Sequence, residues 1–163
     1  MDIDKAAVGL GLKCLSTVTA GLFAGGALYI NLVEHPARME ATDMKTALTC
    51  WKPSYTRAAS IMSKFALTSA VASASAYFMT KEKSPENVCW LVSGGMLMTI
   101  LPFTKLFILP LNNELLAVEE LKEKGDSWIS ENLEKWNKVH FCRTVLGVSA
   151  FSTMVYLLTK EGN

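Results

Sequence analysis

The sequence predicts an all-α protein: a bundle of four transmembrane helices, with an amphipathic helix lying along the membrane surface between the third and fourth. Three observations predict it. Four stretches pass almost without charge, and about 20 residues at 1.5 Å each match a hydrocarbon core about 30 Å thick. The polar residues inside them are Ser, Thr and Gly, which helix contacts in lipid accept. Charged residues make up only 19% of the 163-residue chain and gather between the stretches. A soluble four-helix bundle would instead carry charges along each outer face at a period of about 3.6 residues. The length suits one domain, residues 1–163. A net charge of +1 gives no basic footprint for nucleic acid, and 50% hydrophobic content excludes a disordered chain.

The first helix, 6–35, is built on CLSTVTAGLFAGGALYINLV from Cys14 to Val33. Pro36 has no N–H to offer the Leu32 carbonyl, so a kink is expected there. The apolar run exceeds a signal-peptide core of about 7–15 residues, so it is read as a retained helix. The second helix, 54–80, has a charge-free part from Phe65 to Thr80, with Lys64 free to snorkel. The third, 87–109, runs from Asn87 past Lys105 into LFILPLNN. The fourth, 127–159, is charge-free from Thr144 to Thr159. Between them NNELLAVEELKEK predicts the interfacial helix, 113–124, capped by Asn112 or Asn113, with acids early and lysines late. Gly125 would stop it, and Asp126 or Ser127 would cap the next helix.

Small residues four apart (Gly21/Gly25, Ser69/Ser73, Ala72/Ala76) predict close helix packing. The Ala/Ser-rich second helix is the expected face for a second copy or a membrane-complex partner. Cys14, Cys50, Cys89 and Cys142 fit neither a disulfide framework nor a zinc motif and are expected to be buried structural thiols. Lys and Arg favour the first and third loops, which places these in the cytoplasm, or in the matrix of a mitochondrion, with both termini opposite. The start MDIDK lacks the arginines of a matrix presequence, so the endoplasmic reticulum is favoured over the mitochondrial inner membrane.

The basic side also holds most of the chemistry. Asn31, His35 and Arg38 share a helical face, as do Ile129, Leu133, Trp136, His140 and Arg143. Arg57, Trp51, Tyr55, Asn112 and Asn113 fall at the same membrane surface. The plain readings are interface anchors, topology signals and helix caps. No metal is expected, because His35 and His140 alone are too few ligands, although Glu34 and Glu114 could contribute. A haem held by His35 and His140 stays open, with cofactor-independent chemistry favoured. No Ser-His-Asp order, glycine-rich phosphate loop or HExxH is present.

The ordered segments GLFAGGALYINLVEHPARME, WKPSYTR, FILPLNNELL and WNKVHFCR cover nearly the whole chain. Together they resemble the anthrone oxygenase-like family of small four-helix membrane proteins. The resemblance rests on Gly21, Gly25 and Pro36–Ala37; Trp51, Tyr55 and Arg57; Pro110, Asn112, Asn113 and Leu115; and Trp136 with Arg143. It implies an oxygen-dependent, monooxygenase-like oxidoreductase, since fungal members are linked to oxidation of anthrones to anthraquinones. Such a substrate is lipophilic and needs only a base and a cationic stabiliser. His140 or His35 would be the base, and Arg143, Arg38 or Arg57 would stabilise the anion. Tyr55, Trp51 and Trp136 would line an aromatic site, with Asn112 and Asn113 orienting a carbonyl. The lipid bilayer and a lipophilic small molecule are the expected partners. The alternatives are a non-catalytic accessory or scaffold subunit, and a haem-, quinone- or lipid-binding protein. An enzyme should show a cavity between the first and fourth helices, and a scaffold an outward stripe of small residues.

Overall fold

The computed structural model describes residues 4–80, 84–117 and 124–161. Its elements in chain order are α1 (Lys5–Tyr29), a π-helical turn (Ile30–Glu34), α2 (His35–Met39), α3 (Met44–Met79), α4 (Pro85–Phe103), a second π-helical turn (Thr104–Ile108), α5 (Leu109–Leu116) and α6 (Asp126–Glu161). The protein is all-α, with no strand among the described residues. The elements join into four rods, and three of these are long and apolar enough to cross a membrane: Lys5–Met39, Pro85–Leu116 and Asp126–Lys160. The rod α3 is equally long, but Lys45, Lys52, Arg57 and Lys64 lie in its first two thirds.

Local chemistry sets the helix ends. The Asp4 carboxylate accepts from the Ala6 amide at 2.9 Å and caps α1. Asp43 caps α3, accepting from the Thr46 amide and hydroxyl, both at 2.8 Å. That cap starts α3 at Met44, ten residues before the Ser54 start expected from hydropathy. Ser84 caps α4, with Pro85 in the first turn where its missing N–H costs nothing. The Gly125 carbonyl accepts from the Trp128 and Ile129 amides at the start of α6.

Both π-helical turns have the same sequence logic. Each ends one residue before an X–Pro pair, His35–Pro36 in the first rod and Leu109–Pro110 in the third. The proline ring clashes with the carbonyl four residues back and cannot bond it. The turn widens instead, and the His35 amide donates to the Ile30 carbonyl while Leu109 donates to Thr104. The kink expected at Pro36 is therefore a widened turn within a continuous rod. The third rod likewise runs on through Pro110, so Asn112 and Asn113 lie inside α5 and are not caps. The rest of the expected interfacial helix, 118–123, lies outside the described residues.

The rods pack in a ring: α1 on α3, α3 on α4, α4 on α6, and α6 back on α1. Small residues govern three of these four closures. Ser16 and Ser69 clasp α1 to α3: each hydroxyl donates to the other's carbonyl, at 2.9 and 2.7 Å. Ser73 donates to the Trp90 carbonyl, and a Cβ on Gly94 would stand 2.9 Å from Ser73 Cβ. Between α1 and α6 the fit is reciprocal, since Phe151 covers Gly21 and Phe23 covers Gly147. A Cβ on Gly21 would lie 2.8 Å from the Phe151 ring, and one on Gly147 2.7 Å from Phe23. Gly25, by contrast, has open space around it. The Ala/Ser stripe of α3 (Ala66, Ser69, Ala70, Ala72, Ser73, Ala76) is buried within the chain. The outward faces carry large apolar side chains such as Leu22, Leu32, Phe78, Leu106 and Tyr156. All four cysteines also face outward. This corrects the expectation of buried thiols: a weakly polar thiol suits an apolar outer surface as well as a core.

Candidate functional site

A cavity opens where the first π-turn and α2 meet α3 and α6. The first rod contributes Ile30, Glu34 and Arg38. From α3 come Trp51, Ser54, Tyr55, Ala58, Ala59 and Met62, spaced to lie along one face. From α6 come Trp136, His140 and Arg143, one turn apart. The empty space is about 340 Å³ counted to the mouth, but it is narrow. Its wide part is only about 20 Å³, room for one molecule the size of water or dioxygen.

One wall is aromatic. Trp51 stacks on Tyr55 with ring centroids 4.8 Å apart and planes 3° from parallel. Trp136 meets Trp51 edge-on at 5.5 Å and stacks on His140 at 5.0 Å. Asn112 locks this wall from behind. Its Oδ1 accepts from Trp136 Nε1 at 2.8 Å, and its Nδ2 donates to the Tyr55 hydroxyl oxygen at 2.7 Å. Indole can only donate, which fixes the amide orientation. Tyr55 is thereby an acceptor toward Asn112 and keeps its own O–H to give elsewhere.

Similar reasoning fixes the tautomer of His140. Asn31 Nδ2 donates to the Asn137 backbone carbonyl at 3.2 Å and to its side-chain Oδ1 at 2.6 Å. The Asn31 carbonyl therefore faces the other way, accepting from the Thr144 hydroxyl and meeting His140 Nδ1 at 3.1 Å. A carbonyl oxygen cannot donate, so Nδ1 carries the hydrogen. In the neutral ring Nε2 is then a bare lone pair, with no partner among the described residues. His140 is only 2% exposed, and that exposure lies on the cavity.

Around this base the cavity is rich in donors. Arg38 and Ser54 both donate to Glu34, so the Arg38 charge is answered. Arg143 has no such partner. It is 6% exposed, lies over the Phe23 ring at 5.7 Å, and pairs with no carboxylate among the described residues. Three buried donor nitrogens on cavity-lining residues lack an acceptor among the described residues: Arg38 Nη1, Trp51 Nε1 and Arg143 Nε. An unanswered buried donor is costly, and an unpaired buried cation more so. A site with this makeup favours an anionic oxygen.

The sequence-predicted residues divide clearly. His140, Arg143, Arg38, Trp51, Tyr55 and Trp136 line the cavity, and Asn112 braces its wall. Arg57 and Asn113 are exposed and do not line it. His35 is buried but lies off the cavity, its Nε2 3.5 Å from Glu134 Oε1. The cavity lining offers one histidine, His140, while His35 turns to Glu134, so the lining does not fit a haem ligated by both. No group of three metal-ligating side chains converges among the described residues, and Glu114 is exposed. The predicted set omitted Asn31, Thr144, Glu34 and Met62. Helical spacing gave a signal for two of them: Asn31 is one turn before His35, and Thr144 one turn after His140.

The sequence model of the anthrone oxygenase family matches residues 51–153. The anthrone oxygenase AgnL2 of Paecilomyces divaricatus is 26% identical over 144 residues, covering 82% of this chain and 87% of the relative. No solved structure matches the chain. The matched region contains Trp51, Tyr55, Trp136, His140 and Arg143, so most of the cavity wall falls within it. The chain belongs to the anthrone oxygenase family.

Proposed function

We propose that this chain is a four-span membrane oxygenase that oxidises a lipophilic aromatic at an acidic CH₂ group, with the cavity as its reaction centre. One observation carries the reading: His140, whose Nε2 lone pair has no partner among the described residues, shares the cavity lining with three unanswered donors on Arg38, Trp51 and Arg143. A base beside an anion receptor is the equipment for making and holding an enolate-type anion. His140 takes one proton from the substrate, and Arg143 holds the resulting anionic oxygen. The electron-rich anion passes one electron to dioxygen, and the radical pair joins as a peroxide anion, which takes the proton back from His140 to give a carbon hydroperoxide. Loss of water, with the second C–H proton leaving, gives the ketone. The balance is CH₂ plus O₂ to C=O plus H₂O, so the substrate supplies all electrons and no further reductant is needed.

A scaffold reading has less support, because the Ala/Ser stripe of α3 is buried inside the chain. The fourth span is the charge-free stretch Phe65–Thr80 of α3, with Lys64 reaching the interface. The Lys- and Arg-rich loops face the cytoplasm, and the endoplasmic reticulum is the favoured membrane. The test is oxidation of an anthrone by the purified full chain in nanodiscs, measured above the spontaneous rate. One oxygen atom of labelled O₂ should appear in the quinone. His140→Gln should cut the rate by about 10²–10⁴-fold while the helix content is kept. A wild-type rate in this variant would sink the proposal.

A further inference from the structure

Arg143 lines a second hollow as well as the reaction cavity. This hollow is a cleft between α3 and the α4–α5 rod, walled by Phe23, Ser63, Ala66, Ile100, Leu101 and Thr104, with Lys105 and Leu109 at its edge. Its walls are mostly apolar, and its wide part is about 220 Å³ against about 20 Å³ for the reaction cavity. About 220 Å³ lies just below the roughly 300–1,000 Å³ range of small-molecule sites, in a cleft that is open at its mouth. An aromatic ring system has more room here than in the narrow cavity. Two cations without an acidic partner among the described residues, Arg143 and Lys105, sit on this apolar cleft. Arg143 is buried, and its Nε has no acceptor.

We propose that the α3/α4 cleft is a lateral docking site for an acidic lipophile, a planar aromatic phenol or enol taken sideways from the bilayer. The aromatic body lies between Ala66 and Ile100, and the ionised oxygen anchors on Arg143. Lys105 stands on the same cleft and favours approach of the anionic end. Arg143 is common to both hollows, so an oxygen held on it sits at the wall of the reaction cavity. This rests on the oxygenase reading for the identity of the ligand, and on the cleft alone for the site.

The test is equilibrium binding to the full chain in nanodiscs, using two coloured compounds that cannot be oxidised further at the reacting carbon. One is a hydroxyanthraquinone ionised at the assay pH; the other is unsubstituted anthraquinone. The wild type should bind the hydroxy compound about tenfold more tightly, and Arg143→Gln should abolish that preference. Ser63→Trp and Leu101→Trp fill the cleft from opposite walls, and each should weaken both compounds by about tenfold or more. Val155→Trp, on an outward face away from the cleft, should bind as the wild type does. Wild-type affinities in both Trp variants would overturn the cleft, and a hydroxyl preference surviving in Arg143→Gln would overturn the anchor. The expected binding pattern in a protein that does not oxidise anthrones would uphold the site and overturn the oxygenase reading.

Discussion

At the residue scale, Asn31 decides which ring nitrogen of His140 faces the cavity. Its amide is held by a backbone carbonyl on one side and leaves only an acceptor for the imidazole on the other. Asn31→Leu removes that constraint and leaves Nδ1 without its acceptor. The expected outcome is a kcat lowered by about tenfold or more at unchanged KM, because the residue positions the base without touching substrate. Steady-state kinetics separates the two parameters. Arg143→Gln should instead raise KM and lower kcat together, since it removes the anchor as well as the charge. Much of this site was legible in the sequence. The His140/Arg143/Trp136 spacing identifies a face, and one-sided clustering identifies the end of the molecule. What was not legible is pairing across more than a hundred positions, such as Asn31 with His140 and Thr144. Helical spacing says which residues share a face; it does not say which rod that face meets. For that reason Arg57 and Asn113 looked equivalent to Tyr55 and Asn112.

At the scale of the elements, the π-turn before Pro36 sets the angular offset between Asn31 and Arg38. Pro36→Ala restores an N–H for the Leu32 carbonyl and removes the ring clash, so the turn should tighten to α. We expect this variant to be no less stable by thermal unfolding, yet slower in turnover, because one side of the cavity rotates. The sequence showed that Pro36 must disturb the helix, but not whether by a kink or a widened turn, which the neighbouring rods decide. The glycines differ in a testable way. Gly147→Ala drives a Cβ to 2.7 Å from the Phe23 ring, an overpacking cost of about 1–3 kcal/mol. Gly25→Ala meets nothing and should stabilise α1 by about 0.5–1 kcal/mol. Denaturation in detergent compares the two. The cap at Asp43 adds a pH signature. Its hydrogen bonds to Thr46 hold the carboxyl below its ordinary range, so the capped form is favoured above the unfolded-state value. That contribution is lost as pH falls through the depressed folded value, and amide exchange at Thr46 should rise there but not at neutral pH.

For the whole molecule, rods with small residues turned inward and large apolar ones turned outward suit an acyl-chain surround. Three rods long and apolar enough to cross a membrane were legible because a bilayer imposes a length on charge-free sequence. The second rod was less so, since its long N-terminal part mixes four cations with an apolar half. The outward thiols provide a direct check of orientation. Cys50 is exposed near the start of α3, on the cation-rich side. A membrane-impermeant maleimide should label it from the cytoplasmic face of sealed microsomes and not from the lumen. Labelling only after the vesicles are opened would reverse the proposed topology.

Met62 gives the cavity a finite working life. Its thioether lines the same narrow space in which the proposed reaction would form a carbon hydroperoxide, and it is nearly sealed from outside reagents. A peroxide can hand one oxygen to that sulfur and leave as the alcohol, and the sulfoxide is larger and polar. Damage should therefore accumulate with turnovers completed, not with hours in air. Peptide mass spectrometry should find one added oxygen atom at Met62 rising in step with product, and absent when substrate is withheld. Met62→Leu should start at a similar rate and outlast the wild type.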